Sequence, residues 1–496
     1  MTASFGIDFG TTNSVLARTT AEGTVTVPLE RRLPTAWADH GLSRVLPSVI
    51  GFENGRPAFG WPMKLRSQGR VEAVKRLFAT DDSVEVDGRH LRVEEVAALF
   101  FRRIRERASA ETGLPLDQAV VTVPANSRGR ARVRTKMAAA MAGIEVLALI
   151  NEPTAAAMAH ARKIGLDERI LVFDWGGGTL DVTVLQAVEG TFIEQASKGV
   201  QRLGGLDLDA AFLAWLRPQL PGSADWKPPQ RGQFRLNLEL AKIQLSKQAA
   251  TEVALPTGRF ARITRRHLET AIRPLIERTR GPLETCLSES PGPIDHLVMV
   301  GGSSQIPAVR RFVAGVVGVE PDEAVDPMTA VAEGAAVAAG ILRGEITDLN
   351  FFVGTEHALG LVLRDPGTGG PTFAEVIGRN TKYPASSTEP CIPVTDYQES
   401  VAVTVIEGDP EMPIGHEDNV ALTTWQIRLP EQRRRAEATL DITYRYDVDG
   451  ILHVRVVDRR TGAVLMDERL HFGIDVDEKQ LAEQRRWIAE LMPDPD

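Results

Sequence analysis

Apolar positions along this chain follow two rhythms, and the switch between them divides it. In the first rhythm, short buried-strand runs alternate with stretches of helical period. Residues 4–9 and 15–19 read as strands joined by the tight turn Gly10-Thr11-Thr12-Asn13. Residues 45–52 and 56–59 flank Asn54-Gly55, a dipeptide that tolerates the positive φ of a two-residue hairpin. Residues 93–112 predict a long amphipathic helix ending before Gly113, and 119–124 a buried strand. A helix over 129–142, a strand over 146–150 and a helix opening at Pro153 follow. Proline suits a first helical turn because its missing N–H has no partner there.

At residue 169 the opening theme returns. Residues 170–173 and 180–188 read as strands joined by Asp174-Trp175-Gly176-Gly177-Gly178-Thr179. A strand, an Asp at its end, a Gly-rich turn and a returning strand thus occur twice, which predicts duplicated α/β lobes facing a cleft. A third strand, 297–300, runs through Gly301-Gly302-Ser303-Ser304 into a helix from Pro307, and the Ala-rich 330–342 predicts another helix. Beyond residue 346 the rhythm changes to period-two alternation, as at 401–406, 438–444, 452–457 and 464–470, with Asp449-Gly450 marking a hairpin. These breaks predict an α/β domain over 1–346, a linker over 347–356 and an all-β domain over 357–472. Over 473–496 they predict a short charged helix at 477–491 and a tail.

Composition is that of a soluble globular chain, 43% hydrophobic and 25% charged, and 496 residues exceed what a single core holds. The net charge of -9 speaks against a general nucleic-acid surface, which needs a basic patch. The arginine-rich stretches 102–107 and 433–435 read as solvated faces. Two cysteines, Cys286 and Cys391, give neither a disulfide framework nor metal-ligand spacing and fit a reducing compartment. No basic-then-apolar leader opens the chain, and no apolar run approaches the ~20 residues of a membrane helix. A cytoplasmic protein that binds neither nucleic acid nor membrane is expected.

The paired turns carry the chemistry. Glycines let backbone approach a ligand closely and adopt positive φ, and successive amide N–H groups form an anion-binding concavity. Thr11, Thr12 and Thr179 add hydroxyl donors, and Asp8 and Asp174, at the strand ends behind the turns, are placed to organise magnesium mostly through its waters. A lone Gly-Gly-Gly-Thr is commonly only a hairpin; two matched copies, each preceded by Asp, point to phosphate. No Gly-Lys-Ser/Thr follows a strand, so this is not a Walker loop. By position alone Lys75 reads as a surface lysine and Glu152 as a helix-start carboxylate.

The segment Gly6-Ile7-Asp8-Phe9-Gly10-Thr11-Thr12-Asn13-Ser14 resembles the first phosphate signature of the seventy-kilodalton heat-shock (DnaK-type) chaperones. Ile150-Asn151-Glu152-Pro153-Thr154-Ala155-Ala156-Ala157 resembles another hallmark of that family. Asp174 through Asp181 resembles its second phosphate loop, with Trp175 where Leu is usual. Val300-Gly301-Gly302-Ser303-Ser304-Gln305-Ile306-Pro307 resembles its adenosine loop. The resemblance implies an actin-like ATPase domain, with duplicated lobes around a nucleotide cleft, followed by an all-β sandwich. It implies ATP/ADP and Mg2+ as cofactors. By that resemblance Lys75 orients the attacking water, Glu152 stands near metal and water, and Asp174 and Thr179 position water and phosphates. Asp8, Asp174 and Asp181 become metal-side carboxylates acting mostly through water. Gly10, Thr11, Thr12, Asn13, Gly176, Gly177, Gly178, Gly204, Gly205, Gly301, Gly302 and Ser303 become nucleotide contacts, with Glu239, Lys242 and Ser246 on one helix face at the ribose. Pro124 and Arg132 match an allosteric relay toward the linker, and Leu361, Val394 and Val401 match the peptide-binding region.

The departures from the family pattern bear on function. The two arginines that clamp the adenine in many members are Ile243 and Gln305 here, which predicts weaker nucleotide affinity or relaxed base preference. Unfolded or client polypeptide, a J-domain co-chaperone and a nucleotide exchange factor are the implied partners. Ala148 and Val353 stand where charged J-domain contacts are usual, so that coupling is expected to be weakened. The family's helical lid has no counterpart beyond the helix at 477–491, which predicts fast peptide exchange. Trp175, inside the second turn, is expected to report nucleotide binding by its fluorescence. The leading expectation is an ATP-dependent chaperone that hydrolyses ATP. The alternatives are a nucleotide-gated adaptor for one dedicated client and, more remotely, a small-molecule kinase of the same ATPase superfamily.

Overall fold

The computed structural model describes residues 3–493 except 32, 34–36, 38–41, 67–68, 79–80, 126, 128, 162–163, 166, 189–190, 221, 324–325, 350–354, 356, 366, 380, 383, 417–418, 447–451 and 471–477. Two compact units result, one of residues 1–127, 134–351 and 477–496, the other of 128–133 and 352–476. Most of the expected linker, including Val353, lies outside the described residues, as does the Asp449-Gly450 hairpin.

In the first unit the duplicated theme is realised as two sheets of matching topology. The first contains β1 (Phe5–Phe9), β2 (Asn13–Thr20), β3 (Gly23–Val27), β4 (Val45–Pro47), β5 (Gln118–Val123) and β6 (Glu145–Asn151), in the order β6-β5-β1-β2-β3 with β4 beside β2. The second contains β7 (Arg169–Trp175), β8 (Thr179–Val188), β9 (Thr191–Gln201) and β10 (His296–Val300), in the order β9-β8-β7-β10. In each, an antiparallel hairpin is flanked by a parallel strand: β5 beside β1, and β10 beside β7. The single strand read at 45–52 is in fact two, β4 and Val49–Glu53, which pair in different sheets. Ser48 breaks the run because its N–H donates to the Thr12 carbonyl, 2.7 Å, and its hydroxyl to the Gly10 carbonyl, 2.8 Å.

The helices that position the site are α1 (Val93–Thr112), α2 (Gly129–Met141), α3 (Glu152–Met158), α4 (Gly205–Leu216), α5 (Pro228–Lys247), α6 (Pro307–Val317) and α7 (Ala330–Leu342). Helix α7 packs on α3 and on β1 and β2, and small residues set the approach: a Cβ on Gly334 would stand 1.7 Å from the Ala155 carbonyl oxygen. A last helix, α8 (Glu478–Leu491), belongs to this same unit and rests on α1. Ile488 and Met492 are buried, Arg485 donates to the Ala140 carbonyl at 2.8 Å, and Arg102 donates to the Met492 carbonyl at 3.3 Å.

That packing corrects the reading of 102–107 as a solvated face. Arg102 and Arg107 are buried, Arg107 donating to the Leu29 carbonyl at 3.2 Å and pairing with Glu111. Arg433 is likewise buried, with Asp458 Oδ2 3.0 Å away. Each guanidinium finds carbonyl or carboxylate partners, those of Leu29, Met492 and Asp458 reaching it from distant segments, which offsets part of the cost of leaving water. No helix among the described residues is long and apolar enough to cross a membrane.

The second unit is a sandwich of two antiparallel four-stranded sheets. One runs β12-β11-β14-β15 and the other β13-β16-β17-β18, from β11 (Ala358–Arg364), β12 (Pro371–Ile377), β13 (Ala385–Cys391), β14 (Ser400–Gly408), β15 (Val420–Arg428), β16 (Leu440–Tyr446), β17 (Leu452–Asp458) and β18 (Val464–Leu470). Alternate residues of β16 and β17, among them Ile442, Tyr444, Val454 and Val456, fill the core between the sheets. Fully buried Tyr444 donates its hydroxyl to the Gly360 carbonyl across the sandwich, 2.8 Å.

Candidate functional site

Each Gly-rich turn is anchored by an aromatic residue just before it. Phe9 packs against Phe101, Phe100 and Phe78 at ring separations of 5.1, 6.0 and 6.2 Å. Trp175 meets Phe173 edge-on and donates its indole N–H to the Leu203 carbonyl at 2.9 Å. Trp175 is therefore wholly in the core under the second turn. The expected fluorescence reporter is an anchor, and the indoles that do line the cleft are Trp37 and Trp61.

The two turns face each other at van der Waals range. A Cβ added to Gly177 would sit 1.6 Å from Thr12 Oγ1, and one on Gly178 2.8 Å from Thr11 Cγ2. Only glycine permits this approach. The start of α4 closes on the same place: Gly205 and Leu206 donate to the Gly176 and Gly177 carbonyls at 2.9 and 3.0 Å, and a Cβ on Gly204 would stand 2.5 Å from the Gly177 carbonyl carbon. Ser303, in the turn after β10, donates to the Gly176 carbonyl at 3.1 Å. Its neighbour Gly301 has φ 81°, and a Cβ there would stand 2.5 Å from the Trp175 carbonyl oxygen.

Behind the turns stand the carboxylates. Asp174 and Asp181 are direct partners across β7 and β8, and Thr179 donates to Asp181 Oδ2 at 3.1 Å. Thr122, on β5, donates to Asp8 Oδ1 at 3.3 Å. Lys75 Nζ donates to Glu152 Oε1, so the lysine of a short 3-10 turn (Val74–Leu77) meets the first residue of α3. Burial, then the neighbouring Glu152 charge, pushes Asp8 up to about 7 and Asp181 up to about 7. Asp174 is pushed well above the carboxylate range by burial, then by Glu152, Asp181 and Asp8. Removal from water and crowding by like charge both penalise the ionised form.

Two buried oxygens here, Asp181 Oδ1 and Thr12 Oγ1, have no hydrogen-bond partner among the described residues. An oxygen-rich, anionic pocket with unsatisfied acceptors fits a hard divalent cation such as magnesium, which would neutralise phosphate charge when bound. Asp8, Asp174 and Asp181 are the residues that would hold it.

Beside the turns lies a cavity of about 270 Å³ whose lining includes Thr12, Asn13, Gly205, Gly302, Ser303 and the α5 residues Glu239, Lys242 and Ser246. The sequence placed these three on one helix face, and the structure brings them together. Lys242 Nζ pairs with Asp209 Oδ1 at 2.7 Å, and Lys64 Nζ with Glu239 Oε1 at 2.5 Å. Burial alone would raise Glu239, but Lys64 and Lys242 outweigh it and hold the carboxyl below its usual range. Asp209 goes the other way, with burial raising it against the pull of Lys242. Ile243 and Gln305 also line the cavity, so no guanidinium stands at either position.

Sequence reasoning missed Lys64, Asp209, Trp37 and Trp61. The Lys64 ammonium lies 5.1 Å from the Trp61 ring and 5.7 Å from that of Trp37, and the two indoles are 4.5 Å apart. No local motif announces them: Trp61 and Lys64 share one short helix, Gly60–Lys64, while Trp37 and Asp209 arrive from other segments. Of the remaining expected residues, Pro124 follows β5 half-buried, and Arg132 lies half-buried in α2. Ala148 is buried within β6. Of the three expected peptide-binding residues, Leu361 and Val401 share the sandwich core, at 1% and 9% exposure, whereas Val394 stands outside it at 48%. Strand alternation turns the first two inward, and the connection after β13 carries the third into solvent.

Comparison with known proteins agrees with this geometry. The model of the Hsp70 protein family matches residues 73–471. A protein named chaperone protein DnaK from Thermotoga petrophila is 36% identical over 484 residues, 92% of this chain and 78% of that protein. Its namesake from Thermus thermophilus is 33% identical over 506 residues, covering 93% and 79%. One from Methanothermobacter thermautotrophicus is 32% identical over 522 residues, covering 98% and 85%. Facing phosphate turns, a carboxylate-lined base and a β-sandwich therefore accompany family-wide similarity, and the chain belongs to the Hsp70 family of chaperones, whose members are ATPases.

Proposed function

We propose that this protein is an ATP-dependent chaperone in which nucleotide state in the first unit sets the affinity of the β-sandwich for extended apolar segments of client polypeptide. The observation that carries the reading is the pair of interlocked glycine turns over three raised carboxylates, with Lys75 paired to Glu152 beside them. Backbone N–H groups and Thr11, Thr12 and Thr179 would grip the phosphates. Lys75 and Glu152 would orient a water for attack on the γ-phosphorus, breaking its bond to the bridging oxygen to give ADP and phosphate. Such transfer depends on positioning and charge neutralisation more than on covalent chemistry. Glu239, Lys242 and Ser246 would hold the ribose, and Pro124 and Arg132 would relay the state of the cleft toward the linker. The protein would work in the cytoplasm.

Coupling of this kind is reciprocal: if ATP weakens peptide binding, peptide weakens ATP binding by the same factor. The test is release of a labelled apolar peptide on adding ATP, compared between the wild type and Lys75→Ala. Fast release by the wild type with stalled turnover in the variant supports the reading. Hydrolysis with no effect on any peptide refutes it.

Burial of Leu361 and Val401 in the sandwich core favours a second reading, an adaptor that recognises one dedicated client by its surface. A panel of unrelated unfolded peptides separates the two, since a general chaperone binds many apolar members and an adaptor few.

A further inference from the structure

At the foot of the second sheet, away from the phosphate turns, four side chains from four separate segments converge. His160 follows α3, Glu168 precedes β7, His296 opens β10, and Asp322 follows Pro321, which bridges to Leu297. Backbone pairing fixes the segments of Glu168, whose carbonyl accepts from Ala187, of His296 and of Asp322. His296 is the register partner of Ile170 on β7, and the Asp322 N–H donates to the Leu297 carbonyl at 2.9 Å.

One donor atom from each of His160, His296 and Asp322 lies within 4.8 Å of the other two. His160 Nε2 is 2.5 Å from Asp322 Oδ2, and His296 Nε2 is 2.8 Å from Glu168 Oε2. The rings stand edge to face with centroids 6.2 Å apart. His160 is buried, while His296 and Asp322 keep 22% and 23% side-chain exposure, which leaves the cluster open to solvent on one side.

We propose that His160, His296 and Asp322 form a binding site for a divalent transition metal, zinc(II) foremost, with Glu168 orienting His296. Two imidazoles and a carboxylate suit zinc and its neighbours, with bonds of roughly 2.0–2.2 Å and a solvent molecule completing four-coordination. Ligand atoms already this close need only small side-chain adjustments to surround one ion. Glu168 occupies His296 Nε2, which assigns Nδ1 to the metal, and a carboxylate on the second nitrogen of a metal-bound imidazole fixes its tautomer and raises its basicity. With both imidazoles neutral, as metal ligation requires, the two carboxylates carry charge that a dication neutralises. Magnesium, which demands an oxygen shell, is disfavoured here and favoured in the cleft.

The location gives the ion something to hold. Helix α3 begins at Glu152 in the cleft and spans about 10 Å, and His160 lies two residues beyond its end. A metal here would clamp that end of α3 to β7 and β10.

Cobalt(II) titration tests the site, with visible absorption as readout and the full chain held in saturating Mg-ADP so that the cleft carboxylates are occupied. The expected result is one equivalent bound with an intense four-coordinate spectrum, displaced by zinc. Asp322→Asn and His296→Asn, on partly exposed positions, remove that spectrum while Mg-ADP binding persists. Glu168→Gln keeps the spectrum but weakens metal affinity about 10- to 100-fold. A wild type that takes up no cobalt, or cobalt uptake unchanged by Asp322→Asn and His296→Asn, overturns the assignment. Equal weakening by Glu168→Gln and by an exposed substitution elsewhere, such as Glu284→Gln, overturns the role given to Glu168.

Discussion

The cleft of the first unit and the core of the second solve opposite problems with the same backbone. The cleft keeps polar groups out of water without fully satisfying them: Asp181 and Thr12 each bury an unpartnered oxygen, and three carboxylates are raised by burial and crowding. The sandwich leaves its central polar group satisfied, Tyr444 donating to Gly360 across an otherwise apolar core. A region built to receive charge carries electrostatic stress that a ligand relieves, and a region built to hold shape does not.

The contrast can be broken most sharply at Lys75. Lys75→Ala should lower ATP turnover on the order of 100-fold or more, as loss of a charged group facing the transferred phosphoryl does, with the ADP dissociation constant little changed. Single-turnover hydrolysis checks it, and near-wild-type turnover would remove Lys75 from the reaction. In the sandwich, Tyr444→Phe strands the Gly360 carbonyl and should cost that unit about 1–3 kcal/mol. Calorimetry should then show one transition lowered while ATP turnover at 25 °C is unaffected. A fall in turnover would mean the two regions are not separable in this way.

A smaller effect concerns the base. Restoring a guanidinium by Gln305→Arg should tighten ADP binding by about fivefold, the equivalent of one stacking contact near 1 kcal/mol. Titration calorimetry measures it, and no change would mean that the indoles of Trp37 and Trp61 already compensate. A last effect compares the two thiols. Burial pushes Cys286 up to about 12 and Cys391 up to about 11. The reactive thiolate therefore grows as pH rises and stays scarce at pH 8. Alkylation of the native protein should be slow at both, with Cys391 ahead by about tenfold.

The sequence made legible what is local. Asp8 through Asn13 and Asp174 through Thr179 carry strand end, acid, glycine and hydroxyl within a few positions, so the turns themselves could be read directly. The helix α5 face was legible for the same reason, because Glu239, Lys242 and Ser246 share one period. Lys64 and Trp61, neighbours on one short helix, were not, because only tertiary packing brings that helix to Trp37 and Asp209. Arg102 and Arg107 were misread because composition reports charge but not the Leu29 and Met492 carbonyls that receive it. Leu361 and Val401 show the limit of the resemblance, which placed them at the peptide without settling how far the sandwich core encloses them.

The docking of α8 on α1 also fixes an order of events during synthesis. Arg102 and Met492 are 390 positions apart, with the whole sandwich encoded between them. At about 5–20 residues per second, translation of that interval takes on the order of 20–80 s. Through that time the nucleotide-binding unit is exposed at the ribosome with one helix face of α1 uncovered. The first unit therefore completes its packing on α1 only after the sandwich has emerged.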